Sequence, residues 1–126
     1  MKRREAREKA IQTLFQLDNT ELSVDEAITY ITEEPANPFY DMLVRGTVVN
    51  KEAIDSALTE KLENWSLDRL PKIERTVLRL AVYELLYNEE VPHRVILNEA
   101  IELCKTFGDE KSGRFVNGVL SKFAQK

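Results

Sequence analysis

The spacing of apolar residues predicts helices along most of the chain, because apolar positions recur every three or four residues rather than in alternation. Residues 2–17 form the first such segment, and its apolar arc consists of Ala6, Ala10, Ile11, Leu14 and Leu17. Ser23, followed three residues later by Glu26, predicts a capping box and a short second helix. Asn37 before a proline predicts an N-cap that opens a long third helical segment over residues 38–62.

The second half of the chain predicts three further helices. Residues 73–87 are apolar around most of the helix circumference, which indicates a central helix packed on several sides. Residues 95–107 form an amphipathic helix that Gly108 suits as a C-cap, and a last helix is expected over residues 110–124. Gly46 interrupts the third segment, which predicts a bend or a close helix crossing there.

No segment alternates between apolar and polar residues as a strand does, so the pattern predicts an all-α fold, a compact helical bundle of about six or seven helices. The chain has 126 residues with only four glycines and four prolines, and no repeat or linker divides it. A chain of this length can bury one core without disulfides or metal. We therefore expect a single domain over residues 1–126.

Cysteine use and hydropathy bear on the location of the protein. Cys104 is the only cysteine, so no disulfide can form within the chain, and a reducing, cytoplasmic location is expected. The longest stretch without charge covers residues 10–17, which is too short to span a membrane. We therefore expect a protein without membrane association.

Few residues could support catalysis. His93 is the only histidine, and it follows a proline in a predicted connecting segment without a nucleophile or acid at a recognisable spacing. Cys104 lies on the apolar face of its predicted helix, which indicates a buried structural thiol. The four glycines are scattered, so no phosphate-binding loop is predicted. These patterns predict a protein that is not an enzyme and needs no cofactor or metal.

Charge is distributed unevenly along the chain, although the net charge is only -4. Residues 1–17 carry five basic and two acidic side chains, whereas residues 18–34 carry six acidic side chains and no Lys or Arg. Residues 105–126 again carry five basic and two acidic side chains. Both ends are therefore basic, and a local basic patch can bind a polyanion even when the net charge is negative.

The basic first turn breaks a rule of helix electrostatics. Lys2, Arg3 and Arg4 lie where positive charge opposes the helix dipole, and each such charge forfeits about 0.3 to 1 kcal/mol. Arg7 follows one turn after Arg3, and clustered guanidinium groups can straddle phosphates and stack on unpaired bases. This conflict favours RNA binding, while a merely solubilising terminus is the competing interpretation.

A second basic segment lies near the start of the last helix. It combines Lys111 and Arg114 with the aromatic Phe115. Basic and aromatic side chains together suit phosphate contact combined with base stacking, although Phe115 also fits a core position.

Four segments in this order resemble the NusB family of transcription antitermination factors. They are RREAREKAIQTLFQLD at residues 3–18, IERTVLRLAVYEL at 73–85, VPHRVILNEAIELCK at 91–105 and FVNGVL at 115–120. The resemblance implies two helical subbundles packed together. It also implies binding of boxA RNA in nascent transcripts, notably of ribosomal RNA operons, jointly with NusE, a ribosomal small-subunit protein, in a complex with RNA polymerase and other Nus factors.

The resemblance also assigns roles to individual residues. It implies that RNA is contacted by Lys2, Arg3, Arg4, Arg7, Phe107, Lys111, Arg114 and Phe115. It places Phe15 and Glu74 where the family meets NusE. A helical scaffold that binds only proteins, without direct RNA contact, is the alternative, and the sequence leaves monomer and homodimer both open.

Overall fold

The computed structural model describes residues 1–18, 20–32 and 37–123. Within these ranges the helices are α1 (Arg3–Leu17), α2 (Val24–Ile31), α3 (Pro38–Val49), α4 (Lys51–Lys61), α5 (Lys72–Tyr87), α6 (His93–Phe107) and α7 (Glu110–Leu120). A short 3-10 turn, Leu67–Arg69, precedes α5. The described residues form no strand, so the predicted all-α class is confirmed. None of the described helices is long and apolar enough to cross a bilayer.

Side-chain caps fix where several helices begin. Glu26 N donates to Ser23 Oγ at 3.1 Å and Ser23 N donates to Glu26 Oε1 at 2.9 Å, so the predicted capping box at the start of α2 is present. Asn37 caps α3 as predicted, since its Oδ1 accepts a hydrogen bond from the backbone N–H of Tyr40. Asp109 caps α7 in the same way, since its Oδ1 accepts a hydrogen bond from the backbone N–H of Ser112. The spacing of apolar residues did not predict this cap.

The predicted third segment is two helices, because the chain turns at Asn50 between α3 and α4. Asn50 lies outside the helical conformation at φ -99° and ψ 15°, and its side-chain amide donates to the Gly46 carbonyl at 2.8 Å. Apolar spacing continues across the turn, so periodicity could not locate it. The prediction for His93 was also wrong in detail, since it is the first residue of α6 rather than part of a connecting segment. The predicted end of the last helix at residue 124 lies outside the described residues.

Helix α5 is central, as its apolar circumference predicts. Helices α1, α2 and α3 pack together as one subbundle, and α5, α6 and α7 pack together as a second. Because α5 also contacts α1, α3 and α4, it joins the two. Fully buried side chains from both halves form one core, for example Ile11, Leu43, Leu78, Ile96 and Leu120. The position of α1 therefore depends on its contacts with α3 and α5.

Gly46 permits a close crossing of α3 over α5. Of the bend and the close crossing that the sequence predicts at this glycine, the structure has the crossing. A Cβ atom at this position would lie 2.2 Å from Tyr83 Cζ, far inside van der Waals contact. The Tyr83 ring is buried and stacks on Tyr87 with centroids 5.4 Å apart, so it has little room to withdraw. The glycine is therefore required by packing and not by an unusual backbone conformation.

We expect Gly46→Ala to lower the free energy of unfolding by about 1 to 3 kcal/mol, because the added methyl group overpacks the crossing. Gly118→Ala is the matched control, since its Cβ would meet nothing within 4 Å and should raise stability by up to about 1 kcal/mol through helix propensity. Urea unfolding followed by circular dichroism measures both variants. Equal stabilisation by the two substitutions would show that the crossing is not tight.

Candidate nucleic-acid interface

The start of α1 presents its basic residues to solvent. Lys2, Arg3 and Arg4 are exposed, and Lys2 occupies the N-cap position without a side-chain cap hydrogen bond. Glu5 is the only acidic residue in the first turn. The unfavourable charge arrangement predicted from the sequence is therefore present, and the first N–H groups of the helix lie beside exposed cations.

Phe39 from α3 supports the guanidinium groups of α1. The Arg3 Cζ atom lies 4.8 Å from the centre of the Phe39 ring, and the Arg7 Cζ atom lies 5.2 Å from the same centre. Cation–π contacts of this kind contribute about 0.5 to 1 kcal/mol at exposed sites. The Arg3 side chain is therefore oriented on a partly buried ring rather than left free.

Arg4 is held by Glu99 on α6. Its Nη2 and Nε atoms donate to the two carboxylate oxygens of Glu99 at 2.7 and 3.2 Å. The hydrogen bond from Arg4 lowers the pKa of Glu99, with a smaller opposing effect of burial. Because the Arg4 side chain is 61% exposed and that of Glu99 only 15%, the guanidinium remains accessible at its outer edge.

Arg7 is buried, which corrects the expectation that it contacts RNA together with Arg3 and Arg4. Its side chain is only 4% exposed, and its Nε and Nη2 atoms each donate to a carboxylate oxygen of Glu84 at 2.9 Å. Glu84, on α5, is 2% exposed. Both donors of this fork are therefore committed inside the core, and Arg7 acts as a positioning residue for the first turn.

A second group links residues of the two predicted functions. The rings of Phe15 and Phe107 form an edge contact with centroids 5.8 Å apart, and Lys72 Nζ lies 5.2 Å from the centre of the Phe15 ring. Phe107 lies eight residues beyond Glu99 on α6, which separates it from the Arg4 pair by about 12 Å along the helix. The predicted partner contact Phe15 therefore lies directly against the predicted RNA contact Phe107.

The third group surrounds a groove between the segment before α5 and the start of α7. Lys111 and Arg114 are exposed on α7, as expected of RNA contacts. The groove has a volume of about 380 Å³, and its walls include Trp65, Arg69, Glu74, Lys111 and Phe115. We call it the Trp65 groove. It brings Glu74, a predicted partner contact, together with Lys111 and Phe115.

Trp65 is the residue that sequence reasoning missed. Its ring makes an edge contact with Phe115 at 6.0 Å between centroids, and 57% of the residue is exposed. The signal was available, because Trp65 is the only tryptophan of the chain and lies in a segment without helical periodicity. Phe115, by contrast, is partly buried and packs against the core.

The groups considered for catalysis have structural surroundings. Cys104 is fully buried, so the prediction of a buried structural cysteine is confirmed, and burial raises the pKa of its thiol to about 12. Among the described residues no three His, Cys, Asp or Glu side chains are grouped so that they could hold a metal ion. The basic and aromatic surfaces are the candidate functional features.

Comparison of the sequence with known proteins gives full-length similarity. Residues 4–125 match the NusB family. The transcription antitermination protein NusB of Lysinibacillus sphaericus is 67% identical over 126 residues, covering 100% of this chain and 99% of the relative. The protein of the same name from an Exiguobacterium species is 55% identical over 127 residues, covering 100% of this chain and 99% of the relative.

Solved structures agree with the sequence comparison. NusB of T. maritima superposes with a TM-score of 0.90 at 36% identity, covering 100% of this chain and 92% of the other. A crystal structure of antitermination factors NusB and NusE in complex with dsRNA superposes with a TM-score of 0.86 at 32% identity, covering 98% of this chain and 96% of the other. The similarity therefore extends over sequence, fold and chain length together.

We expect Arg7→Ala to lower the free energy of unfolding by about 3 to 5 kcal/mol, because it leaves the Glu84 carboxylate buried without its partner. Arg3→Ala is the control, since it removes an exposed cation–π contact and should cost less than about 1 kcal/mol. Replacing Arg7 with Met and Glu84 with Leu together should recover most of the loss. Chemical denaturation measures all three variants, and equal effects of the two single substitutions would contradict a buried ion pair.

Proposed function

This chain belongs to the NusB family, and from that premise we propose that it binds boxA RNA of nascent transcripts together with NusE. Its relatives are transcription antitermination proteins, a non-enzymatic family, so the expectation that the chain is not an enzyme is confirmed by its membership. The family resemblance inferred from four sequence segments is confirmed as well. In the cytoplasm the protein would act within a complex of RNA polymerase and other Nus factors, on ribosomal RNA operons in particular.

The exposed first turn of α1 carries the RNA assignment. Lys2 and the outer edges of Arg3 and Arg4 form a cationic surface whose geometry is fixed by Phe39 and Glu99. Arg3, which lies on the Phe39 ring, loses less conformational freedom when it binds phosphate than a free side chain does, whereas the Glu99 carboxylate competes with phosphate for Arg4. The related NusB solved with NusE and double-stranded RNA supports RNA as the ligand.

The remaining predicted residues extend this surface toward the start of α7. Phe107 lies about 12 Å along α6 from the Arg4 and Glu99 pair, and Lys111 and Arg114 are exposed on α7. Phe15 and Glu74 lie beside Phe107 and Lys111 respectively, so RNA and NusE would meet on adjacent parts of one surface. We propose that RNA binds along this path and that NusE contacts Phe15 and Glu74.

We expect a variant with Lys2, Arg3 and Arg4 replaced by Gln to bind boxA RNA more weakly, because it loses phosphate contacts. The slope of log affinity against log salt should fall by about 0.7 for each lost contact to single-stranded RNA. Fluorescence anisotropy with boxA and scrambled RNA, with and without the NusE partner, measures both quantities. Arg7 is left unchanged so that the fold is not altered.

Lys51→Gln provides the control for a lost positive charge, since Lys51 is exposed at the start of α4 and is not part of the proposed surface. It should leave the salt slope unchanged. If the triple variant keeps full RNA affinity and slope while remaining folded, α1 does not bind RNA. A protein-binding scaffold would then be the better description.

We expect Glu99→Gln to strengthen RNA binding by up to about fivefold, because the Glu99 carboxylate competes with phosphate for Arg4. The gain should vanish when Arg4 is also replaced by Gln, since the competition requires the guanidinium. Glu102→Gln is the matched control, because it removes an exposed negative charge from the same helix. Weaker binding by Glu99→Gln, measured by the same anisotropy titration, would instead show that Glu99 orients Arg4 for RNA.

A further inference from the structure

A turn in the backbone directly before Trp65 leaves this residue exposed. It follows Asn64, which has a positive φ of 66° and is the only described residue other than glycine with such a conformation. Asparagine adopts the left-handed conformation more readily than other non-glycine residues, so Asn64 permits a tight turn after α4 without strain. The turn at Asn64 directs the chain so that Trp65 meets Phe115 on α7 and still leaves 57% of the tryptophan exposed.

The contact between Trp65 and Phe115 leaves aromatic surface available. The two ring planes meet at 74°, so the rings touch by an edge and do not cover each other as stacked rings would. Phe115 is partly buried and supports Trp65 from the side of the core. Of the two aromatic residues, Trp65 therefore has the larger surface on which a planar ligand could stack.

Exposed cations flank this aromatic pair. Arg69 and Lys111 line the Trp65 groove, and Arg114 lies three residues beyond Lys111 on α7. None of the three makes an ion pair in the part of the chain that the structure describes. The pKa of Asp109 is lowered mainly by hydrogen bonds from Ser112 and in smaller part by the charge of Lys111. Arg4 and Arg7 are instead paired with glutamates, so the charges of Arg69, Lys111 and Arg114 are more available to an anionic ligand than theirs.

The acidic residues of the groove restrict where phosphate can lie. The Asp109 carboxylate accepts the backbone hydrogen bond of Ser112 at 2.8 Å and is committed to capping α7. Glu74 also lines the groove and repels phosphate from its interior. Phosphates are therefore favoured at the cationic rim and an uncharged, planar group is favoured inside.

We propose that the Trp65 groove holds one unpaired base of the bound RNA on the indole of Trp65, with the adjacent phosphates on Arg69 and Lys111. This inference rests on the proposed RNA-binding function and adds a base-stacking site to it. An exposed tryptophan also suits a contact with another protein. The three unpaired cations around it favour a polyanion with planar bases.

Because Trp65 is the only tryptophan, its fluorescence reports on the groove without labelling. The full chain is titrated with boxA RNA, and a base stacked on the indole should quench the emission. A series of RNAs, each with a single abasic site, then locates the stacked base. Quenching should be lost for one or two adjacent abasic positions and kept for the others, because an abasic site removes the base but keeps the phosphate.

Substitutions test whether the stacking contributes to affinity. Trp65→Ala should weaken RNA binding by about 5- to 100-fold without changing the salt slope, while Trp65→Phe should recover most of the affinity. Tyr30→Ala is the matched control, since Tyr30 is 73% exposed on α2 and should have no effect. Melting curves verify that each variant is folded.

Two results would overturn the proposal. The first is that RNA binding leaves the Trp65 emission unchanged and that Trp65→Ala keeps full RNA affinity. This result would rule out the stacking site even if the triple variant of the first turn binds RNA more weakly, as the proposed function predicts. The other is a change in emission caused by the NusE partner alone and not by RNA, which would assign the groove to protein contact. Failure of the first-turn variants to weaken binding would instead contradict the proposed function, so the two failures are distinguishable.

Discussion

The buried ion pair between Arg7 and Glu84 is the interaction on which the placement of the basic first turn depends. It joins α1 to α5, and neither charge can be removed alone without leaving the other in a site that is at most 4% exposed. Arg7 also contacts the Phe39 ring and lies 3.9 Å from Glu99, so four helices meet at one guanidinium. Helix ends ordinarily fray, and like charges at the wrong end of the dipole favour fraying. The ion pair holds α1 against α5 at Arg7, which is one helical turn after Arg3. The exposed cations of the first turn therefore project from an ordered helix.

Arg7 and Glu84 each stand out in the sequence as a charged residue at an apolar position, but these two observations indicate an ion pair only when they are taken together. Arg7 precedes Ala10, Ile11 and Leu14 on the apolar arc of α1, and Glu84 is an acid inside the most apolar segment of the chain. One charged residue on an apolar helix face can be an isolated exception to the periodicity, whereas two opposite charges on apolar faces of different helices predict a buried ion pair. Periodicity assigns a residue to a face, but it cannot identify a partner that is 77 residues away. The class of fold, most helix bounds and the close approach at Gly46 were accessible because they depend on local spacing, while the turn at Asn50 lies within an unbroken apolar pattern.

The candidate site shows the same division between local and distant information. Exposure of Lys2, Arg3, Arg4, Lys111 and Arg114 could be inferred from polar positions on amphipathic helices. The neutralising role of Glu99 could not, because it depends on how α6 lies beside α1. Trp65 was missed since a residue between helices has no periodic environment to interpret. Its proximity to Phe115 arises from the tertiary packing of two segments about 50 residues apart in sequence, and only the folded chain makes the groove recognisable.

The pairing of Arg4 and Arg7 with glutamates has a consequence for selectivity. The net charge of the protein is -4, and the charges of Arg4 and Arg7 are partly neutralised by glutamates. Nonspecific electrostatic attraction to nucleic acid should therefore contribute little to binding. Stacking and partner contacts do not depend on salt in the same way, and several weak contacts on one surface raise affinity only when all can be engaged together. RNA with the right sequence and a bound protein partner would satisfy that condition, whereas an arbitrary polyanion would meet only the first turn. On the proposed function, weak individual contacts would therefore select the correct complex, because only that complex engages all of them.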